Sequence, residues 1–163
     1  MLENIQDKIS SFEKACRIKM KCQILCQPLP VSFELDEENR DVILLSVLDK
    51  DIEKFEIPDY ITVLNDWVFE NCYKLQKVVI PDSVKRIGEG AFHNCISLQL
   101  VKLPSRLNII PDQAFAGCSS LEKVEMGSKV IEIGNWAFSG TMIERKMIPD
   151  TVKIISEMAF EMY

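Results

Sequence analysis

The feature that most constrains this chain is a short motif that recurs at almost constant spacing. Ile57-Pro58-Asp59 returns in identical or related form at residues 80–82, 103–105, 126–128 and 148–150, with offsets of 23, 23, 23 and 22 residues. Five phenylalanines keep the same register, at Phe69, Phe92, Phe115, Phe138 and Phe160. A unit of this length predicts one coil of a solenoid, because a single coil buries its inward side chains only by stacking on its neighbours.

Each repeat contains the pattern of a short strand. In residues 75–81 the alternation at Val78 and Ile80 predicts the strand, and Pro81 ends it because proline has no N–H to donate. Successive strands are expected to pair in parallel about 4.8 Å apart. The Ala-Phe step, as at Ala91-Phe92, is expected to form a short helical turn whose ring fills the coil. The expected fold class is therefore an α/β repeat.

One full repeat carries a resemblance to a known family. Residues 80–101 read Ile-Pro-Asp-x-Val-x-x-Ile-x-x-x-Ala-Phe-x-x-Cys-x-x-Leu-x-x-Val, a pattern that resembles the BspA-like leucine-rich repeats. The resemblance covers about residues 52–163 and implies a curved solenoid used for protein or surface recognition, without a catalytic centre. The fourth unit departs from the pattern, with Thr141 in place of the cysteine and Lys146 in place of the inward valine. The last repeat is expected to be irregular or incomplete.

The segment before the repeats follows different patterns. Five apolar residues at helical spacing predict an amphipathic helix; they are Leu2, Ile5, Ile9, Phe12 and Cys16. Residues 17–27 alternate, so a strand competes there with a continued helix. Residues 31–35 and 42–48 flank the polar stretch 36–41 and predict a β-hairpin that leads into the first repeat strand at 52–57. We therefore expect an N-terminal cap over residues 1–51 and a solenoid of about five repeats over 52–163.

Composition excludes several classes of function. The formal charge of −6 and the pI near 4.9 argue against a general binder of nucleic acid or anionic membranes. No apolar run reaches the ~18 residues of a spanning helix, and Glu3 and Asp7 stand where a secretory signal would be basic. The expected protein has no integral membrane segment and lies in the cytoplasm, with display at the cell surface by an unconventional route left open.

Candidate chemical sites are few. Cys16, Cys22 and Cys26 together with His93 supply enough zinc ligands in number, but their spacing matches no common zinc pattern. His93 shares its repeat column with Glu70, Ala116, Ser139 and Glu161, which predicts a solvated corner. The repeated Cys72, Cys95 and Cys118 are expected to be small buried side chains with free thiols. With no phosphate-binding glycine loop, nucleophile elbow or second histidine, we expect no enzyme, cofactor or metal.

The outward face of the predicted strand sheet is the candidate binding site. Alternation directs two columns to solvent: Lys54, Lys77, Leu100, Lys123 and Arg145 in one, and Glu56, Val79, Lys102, Glu125 and Met147 in the other. The first column is nearly all basic in an acidic protein. These residues predict a non-enzymatic module that binds a protein partner. The alternatives are a structural unit that forms homo-oligomers through an open C-terminal edge, and the surface adhesion that the family resemblance implies.

Overall fold

A computed structural model describes residues 32–47 and 49–162. The predicted N-terminal helix, the choice between helix and strand over residues 17–27, and Cys16, Cys22 and Cys26 all lie outside the described residues.

The described chain forms a β-solenoid of five stacked coils behind a β-hairpin. We number the coils by their residues: 52–74, 75–97, 98–120, 121–142 and 143–162. The strands are β1 Ser32–Asp36, β2 Asp41–Ser46, β3 Val63–Leu64, β4 Lys77–Val79, β5 Arg86–Ile87, β6 Leu100–Lys102, β7 Ile109–Ile110, β8 Lys123–Glu125, β9 Glu132–Ile133 and β10 Ile154–Ile155. A single 3-10 helix, Arg145–Met147, lies between β9 and β10 in this part of the chain.

Two sets of parallel strands run along the stack. Strands β4, β6 and β8 form one sheet, here called the front sheet. On the other side, β2, β3 and β5 pair in parallel, as do β7, β9 and β10. Because adjacent coils repeat the same backbone path, residues 23 apart come into register, and Val78 faces Val101, which faces Val124. The parallel pairing predicted from the repeat is confirmed.

The interior is dominated by a stack of phenylalanine rings. Successive centroids lie 4.9, 5.4, 5.7 and 5.8 Å apart, with interplanar angles of 7 to 16°. Four of these rings, from Phe69 to Phe138, are fully buried, while Phe160 in the last coil is partly exposed. Translation of one coil onto the next places like rings one strand spacing apart, where they stack face to face. The prediction that each ring fills its own coil is confirmed for the buried four.

The Ala-Phe step lies in tight turns, so the predicted helical turn is wrong. His93 N–H donates to Gly90 O at 2.9 Å and Cys95 N–H donates to Phe92 O at 3.3 Å, both three residues back. Two columns of residues have positive φ: Trp67, Gly90, Gln113 and Trp136, and then Asn71, Asn94, Gly117 and Gly140. Left-handed residues twice in each of the first four coils prevent a helix from continuing. The described fold is therefore a β-solenoid and not an α/β repeat.

The predicted hairpin is confirmed, but its position differs from the prediction. Strand β1 pairs antiparallel with β2, and β2 pairs in parallel with β3, with Ile43 beside Val63 and Leu44 beside Leu64. The hairpin therefore extends the rear strands and does not lead into a front strand at residues 52–57. In that segment one isolated bridge, Lys54 to Lys77, joins coil 1 to the front sheet.

Candidate functional site

The front sheet places the two predicted columns side by side in strict register. Lys77 lies beside Leu100, and Leu100 beside Lys123. In the second column Val79 lies beside Lys102, which lies beside Glu125. The outward orientation predicted for these side chains is confirmed, because the residues between them, Val78 and Val101, are fully buried while the column residues face solvent. Their role in binding stays a prediction.

Arg145 and Met147 do not continue these columns as strand residues, so that part of the prediction is wrong. Both lie on the 3-10 helix, and both are exposed. Lys146 stands where earlier coils carry an inward valine, and it is exposed with its Nζ 2.8 Å from Glu144 Oε2. A lysine does not replace a buried valine without loss of hydration, and the preceding coil, 121–142, is one residue shorter than the others before it. The front sheet therefore ends at β8 in the described chain.

A groove runs along this face on the side of coil 1. Its volume is about 830 Å³. The lining residues are Lys54, Phe55, Glu56, Ile57, Gln76, Lys77, Val79, Pro81, Gln99, Leu100, Glu122 and Lys123. Six residues of the two predicted columns thus line the groove, whereas Lys102, Glu125, Arg145 and Met147 do not.

The charges on the face are unevenly paired. Lys123 Nζ lies 2.8 Å from Glu125 Oε1. The pKa of Glu125 is lowered, first by this hydrogen bond and the charge of Lys123 and then by the charges of Lys102 and Lys77. On the neighbouring coil, the backbone N–H of Ser105 donates to Asp82 at 2.7 Å and lowers the pKa of that carboxyl. Both carboxylates are therefore ionised at neutral pH, and the lysines around them set a mixed but locally basic potential.

The comparisons with known proteins agree with this geometry. A family model described as "BspA type Leucine rich repeat region (6 copies)" matches residues 48–163. The chain belongs to this family. No curated protein sequence matches the chain significantly.

Solved structures of leucine-rich repeat proteins share the fold. A leucine-rich repeat protein from Bacteroides ovatus aligns over 82% of this chain with a TM-score of 0.73 and 24% identity; the chain spans 37% of its length. A second, from Bacteroides capillosus, aligns over 83% of this chain and 93% of its own length, with a TM-score of 0.56 and 25% identity. Repeats of this family generally serve protein interaction or adhesion, and these comparisons name no partner.

The cysteine column of the BspA-type repeats is a packing feature. Cys72, Cys95 and Cys118 are free and fully buried, as predicted. The Cys95 and Cys118 thiols donate to Phe69 O and Phe92 O at 3.1 and 3.0 Å. Hydrogen bonding between neighbouring thiols, followed by burial, raises the pKa of Cys72 and of Cys95. The raised pKa keeps the thiols of Cys72 and Cys95 protonated near neutral pH.

The corner around His93 differs from its prediction. His93 Nδ1 lies 3.6 Å from Glu70 Oε1, and the ring meets Trp67 edge to face at 5.4 Å. Ala116 and Ser139, in the same repeat column, are buried, so the corner is not solvated along its length. Within residues 32–47 and 49–162, no cluster of histidine, cysteine or acidic side chains is arranged to hold a metal ion. The same part of the chain contains no helix long and apolar enough to span a membrane.

Sequence reasoning missed part of the groove. The column Gln76, Gln99 and Glu122 precedes the strands and is exposed, and its repeat spacing was available as a signal. Phe55, Ile57 and Pro81 form the apolar part of the lining. Their positions depend on how coil 1 packs against β4, and the repeat pattern of the sequence does not predict that packing.

Proposed function

We propose that this chain is a non-enzymatic interaction module that binds a protein partner through the front sheet and its groove. One observation carries the proposal: the exposed Lys77 and Lys123 flank the half-buried Leu100 in one row across three strands, and this row lines a groove large enough to receive a partner's side chains. Val79 is 47% exposed beside this row. On a surface of this kind, apolar contacts lengthen the lifetime of the complex, and lysines increase the rate of association with an acidic partner.

The residues of this face are free to serve binding because they do not hold the fold together. Their inward neighbours fill the core, and no carboxylate lies within ion-pair distance of Lys54, Lys77 or Lys102 among the described residues. The alternative is a solvated strand face with scattered exposed apolar residues, which the binding test below distinguishes from an interface.

Affinity capture from the source organism tests the proposal. We expect the captured partner to be lost or reduced with Leu100→Asp, and with the double change Lys77→Glu and Lys123→Glu, more strongly at low than at high salt. The matched control reverses two exposed lysines outside the front sheet, Lys129→Glu with Lys153→Glu. A partner that is retained equally by all these variants contradicts the proposal.

A second candidate function is self-assembly through the last coil. Four exposed apolar side chains of this coil, and Met142 at the end of the coil before it, are concentrated near one end of the solenoid; the four are Met147, Ile154, Met158 and Met162. An apolar solenoid end of this kind pairs with a further coil or with a second copy. Analytical ultracentrifugation over a hundredfold concentration range tests it, with Ile154→Lys and Met158→Lys as variants. A concentration-independent monomer removes this candidate.

A further inference from the structure

The front sheet opens into a cleft where coil 1 separates from β4. The two are joined by the Lys54 to Lys77 bridge and by Gln76 N–H, which donates to Glu53 O at 3.2 Å. Beyond this bridge, no hydrogen bond joins Glu56 or Ile57 to β4 in the described chain. The equivalent bonds are present in the next coils, where Ile80 N–H donates to Lys102 O and Leu103 N–H donates to Glu125 O, each at 2.9 Å. The first coil therefore departs from the ladder at a point where the later coils remain paired.

The lining of this cleft is apolar at its base. Phe55, Ile57, Val79, Pro81 and Leu100 contribute to it. The Phe55 ring is anchored from below by an edge-to-face contact with Phe69, with centroids 5.4 Å apart. The cleft is part of the groove that extends to Lys123 in β8, and the whole groove has a volume of about 830 Å³, within the range of about 300–1,000 Å³ typical of ligand sites. The cleft therefore has room for a large apolar side chain.

The backbone of Val79 faces the same cleft. Gln76 O accepts from Gln99 N–H, and Ile80 N–H donates to Lys102 O, so the peptide groups of residues 76 and 80 are directed toward β6. Alternate residues of a strand direct their N–H and C=O to opposite sides. The N–H and C=O of Val79 are consequently directed toward coil 1, where residues 55–57 do not pair with them. A strand edge of this kind is recognised by an extended peptide.

The charge around the cleft favours an anionic ligand. Lys54 and Lys77 lie in its lining, and Lys102 stands beside Val79. None of these three lysines has a carboxylate within 4.0 Å among residues 32–47 and 49–162, whereas Lys123 is paired with Glu125. Glu56 and Glu122 also lie in the lining and are its acidic residues.

We infer that this cleft is the anchor site of the proposed interface and takes an extended acidic peptide with one bulky apolar side chain. The apolar side chain lies against Phe55, Ile57 and Val79, and carboxylates two residues to either side meet Lys77 and Lys102. The Cα atoms of these lysines are roughly 8 Å apart on neighbouring strands, and the two carboxylate residues, four apart in an extended peptide, are about 13 Å apart. Extended lysine and glutamate side chains span the difference of about 5 Å. The inference rests on the proposed function and specifies the class of partner.

Fluorescence anisotropy with a designed peptide tests the inference on the full chain. The probe is a fluorescein-labelled nonapeptide with phenylalanine at its centre, glutamate two residues to each side and serine elsewhere. We expect saturable binding that weakens at least tenfold when the peptide phenylalanine becomes alanine, which requires no change in the protein. The Val79→Asp variant should weaken binding by a similar factor.

Charge reversal supplies the decisive control. Lys77→Glu with Lys102→Glu should weaken binding of the acidic peptide at least tenfold and restore binding to a peptide with lysines in place of the glutamates. The control Lys129→Glu with Lys153→Glu changes the net charge equally and should alter affinity less than twofold. Absence of saturable binding by the unmodified protein, or equal loss in both double variants, overturns the inference. If partner capture still depends on the front sheet in that case, the proposed function stands and only the peptide class is rejected.

Discussion

Lys85 Nζ lies 2.8 Å from Asp41 Oδ1, an ion pair that joins coil 2 to the hairpin across 44 residues of sequence. The hydroxyl of Thr62, itself buried, donates to the same carboxylate oxygen at 2.9 Å and accepts from Val42 N–H at 2.9 Å. The hairpin thus closes the first coil through a shared polar contact as well as through β2 and β3. Because Lys85 stabilises the contact between coil 2 and the hairpin, substitutions of Lys85 cannot serve as controls for changes to the front sheet.

The ion pair makes the first prediction. Lys85→Ala leaves the half-buried Asp41 carboxylate without its cation, and we expect the free energy of unfolding to fall by about 1–2 kcal/mol. Urea denaturation followed by circular dichroism measures the change. Lys129→Ala, in an exposed turn, should shift the midpoint little; equal effects of the two substitutions would show that the contact does not secure the hairpin.

The phenylalanine stack makes the second prediction. Phe92→Ala removes a fully buried ring between two others, and such a change typically costs about 3–5 kcal/mol. Phe92→Leu retains most of the volume and should cost distinctly less. Calorimetry decides the matter: a melting temperature for Phe92→Ala within a few degrees of the unmodified protein is incompatible with the stack as the main stabilising feature.

The third prediction concerns Gly90. Its φ is +57°, and a Cβ at this position would meet the ring of Trp67. Gly90→Ala should therefore destabilise the protein by about 1–3 kcal/mol, through backbone strain and displacement of the indole. In a Trp67→Ala background the same substitution should cost less, since only the backbone contribution remains. A double-mutant cycle by urea denaturation measures this coupling, and additivity would refute it.

The fourth prediction concerns thiol reactivity. Cys72, Cys95 and Cys118 are fully buried, and the pKa values of Cys72 and Cys95 are raised. Thiol reagents should therefore leave all three unmodified in the folded protein near neutral pH. Peptide mass spectrometry after labelling, with a urea-denatured sample as the positive control, identifies each cysteine. Rapid labelling of the column in the folded protein is the contrary result.

The repeat spacing predicted much of this architecture. A 23-residue period was sufficient to place Phe92 in the ring stack, Cys95 in the buried column and Lys77 beside Leu100, because stacked coils convert sequence period into spatial register. The hairpin was also predictable, since polar residues 36–41 separate two apolar segments.

The errors arise where local geometry departs from that period. Apolar spacing at the Ala-Phe step is compatible with a helix. The left-handed backbone conformation at Trp67 and Gln113 was not predictable, because neither tryptophan nor glutamine favours a positive φ. The front sheet ends at β8 because coil 5 adopts a 3-10 helix around Lys146. The cleft forms because coil 1 does not continue its pairing with β4 beyond the Lys54 bridge. This depends on the packing of coil 1, which the repeat pattern of the sequence does not predict.

Site-specific photo-crosslinking tests the central claim most directly. Benzoylphenylalanine replaces one residue at a time: Lys102 on the front sheet, Met158 on the last coil and Lys129 as the exposed control. After irradiation in an extract of the source organism, mass spectrometry identifies the crosslinked protein for each position. The account predicts a discrete heterologous partner at position 102 that is absent at 129 and 158. A crosslink to a second copy of this chain at 158, with nothing specific at 102, contradicts it.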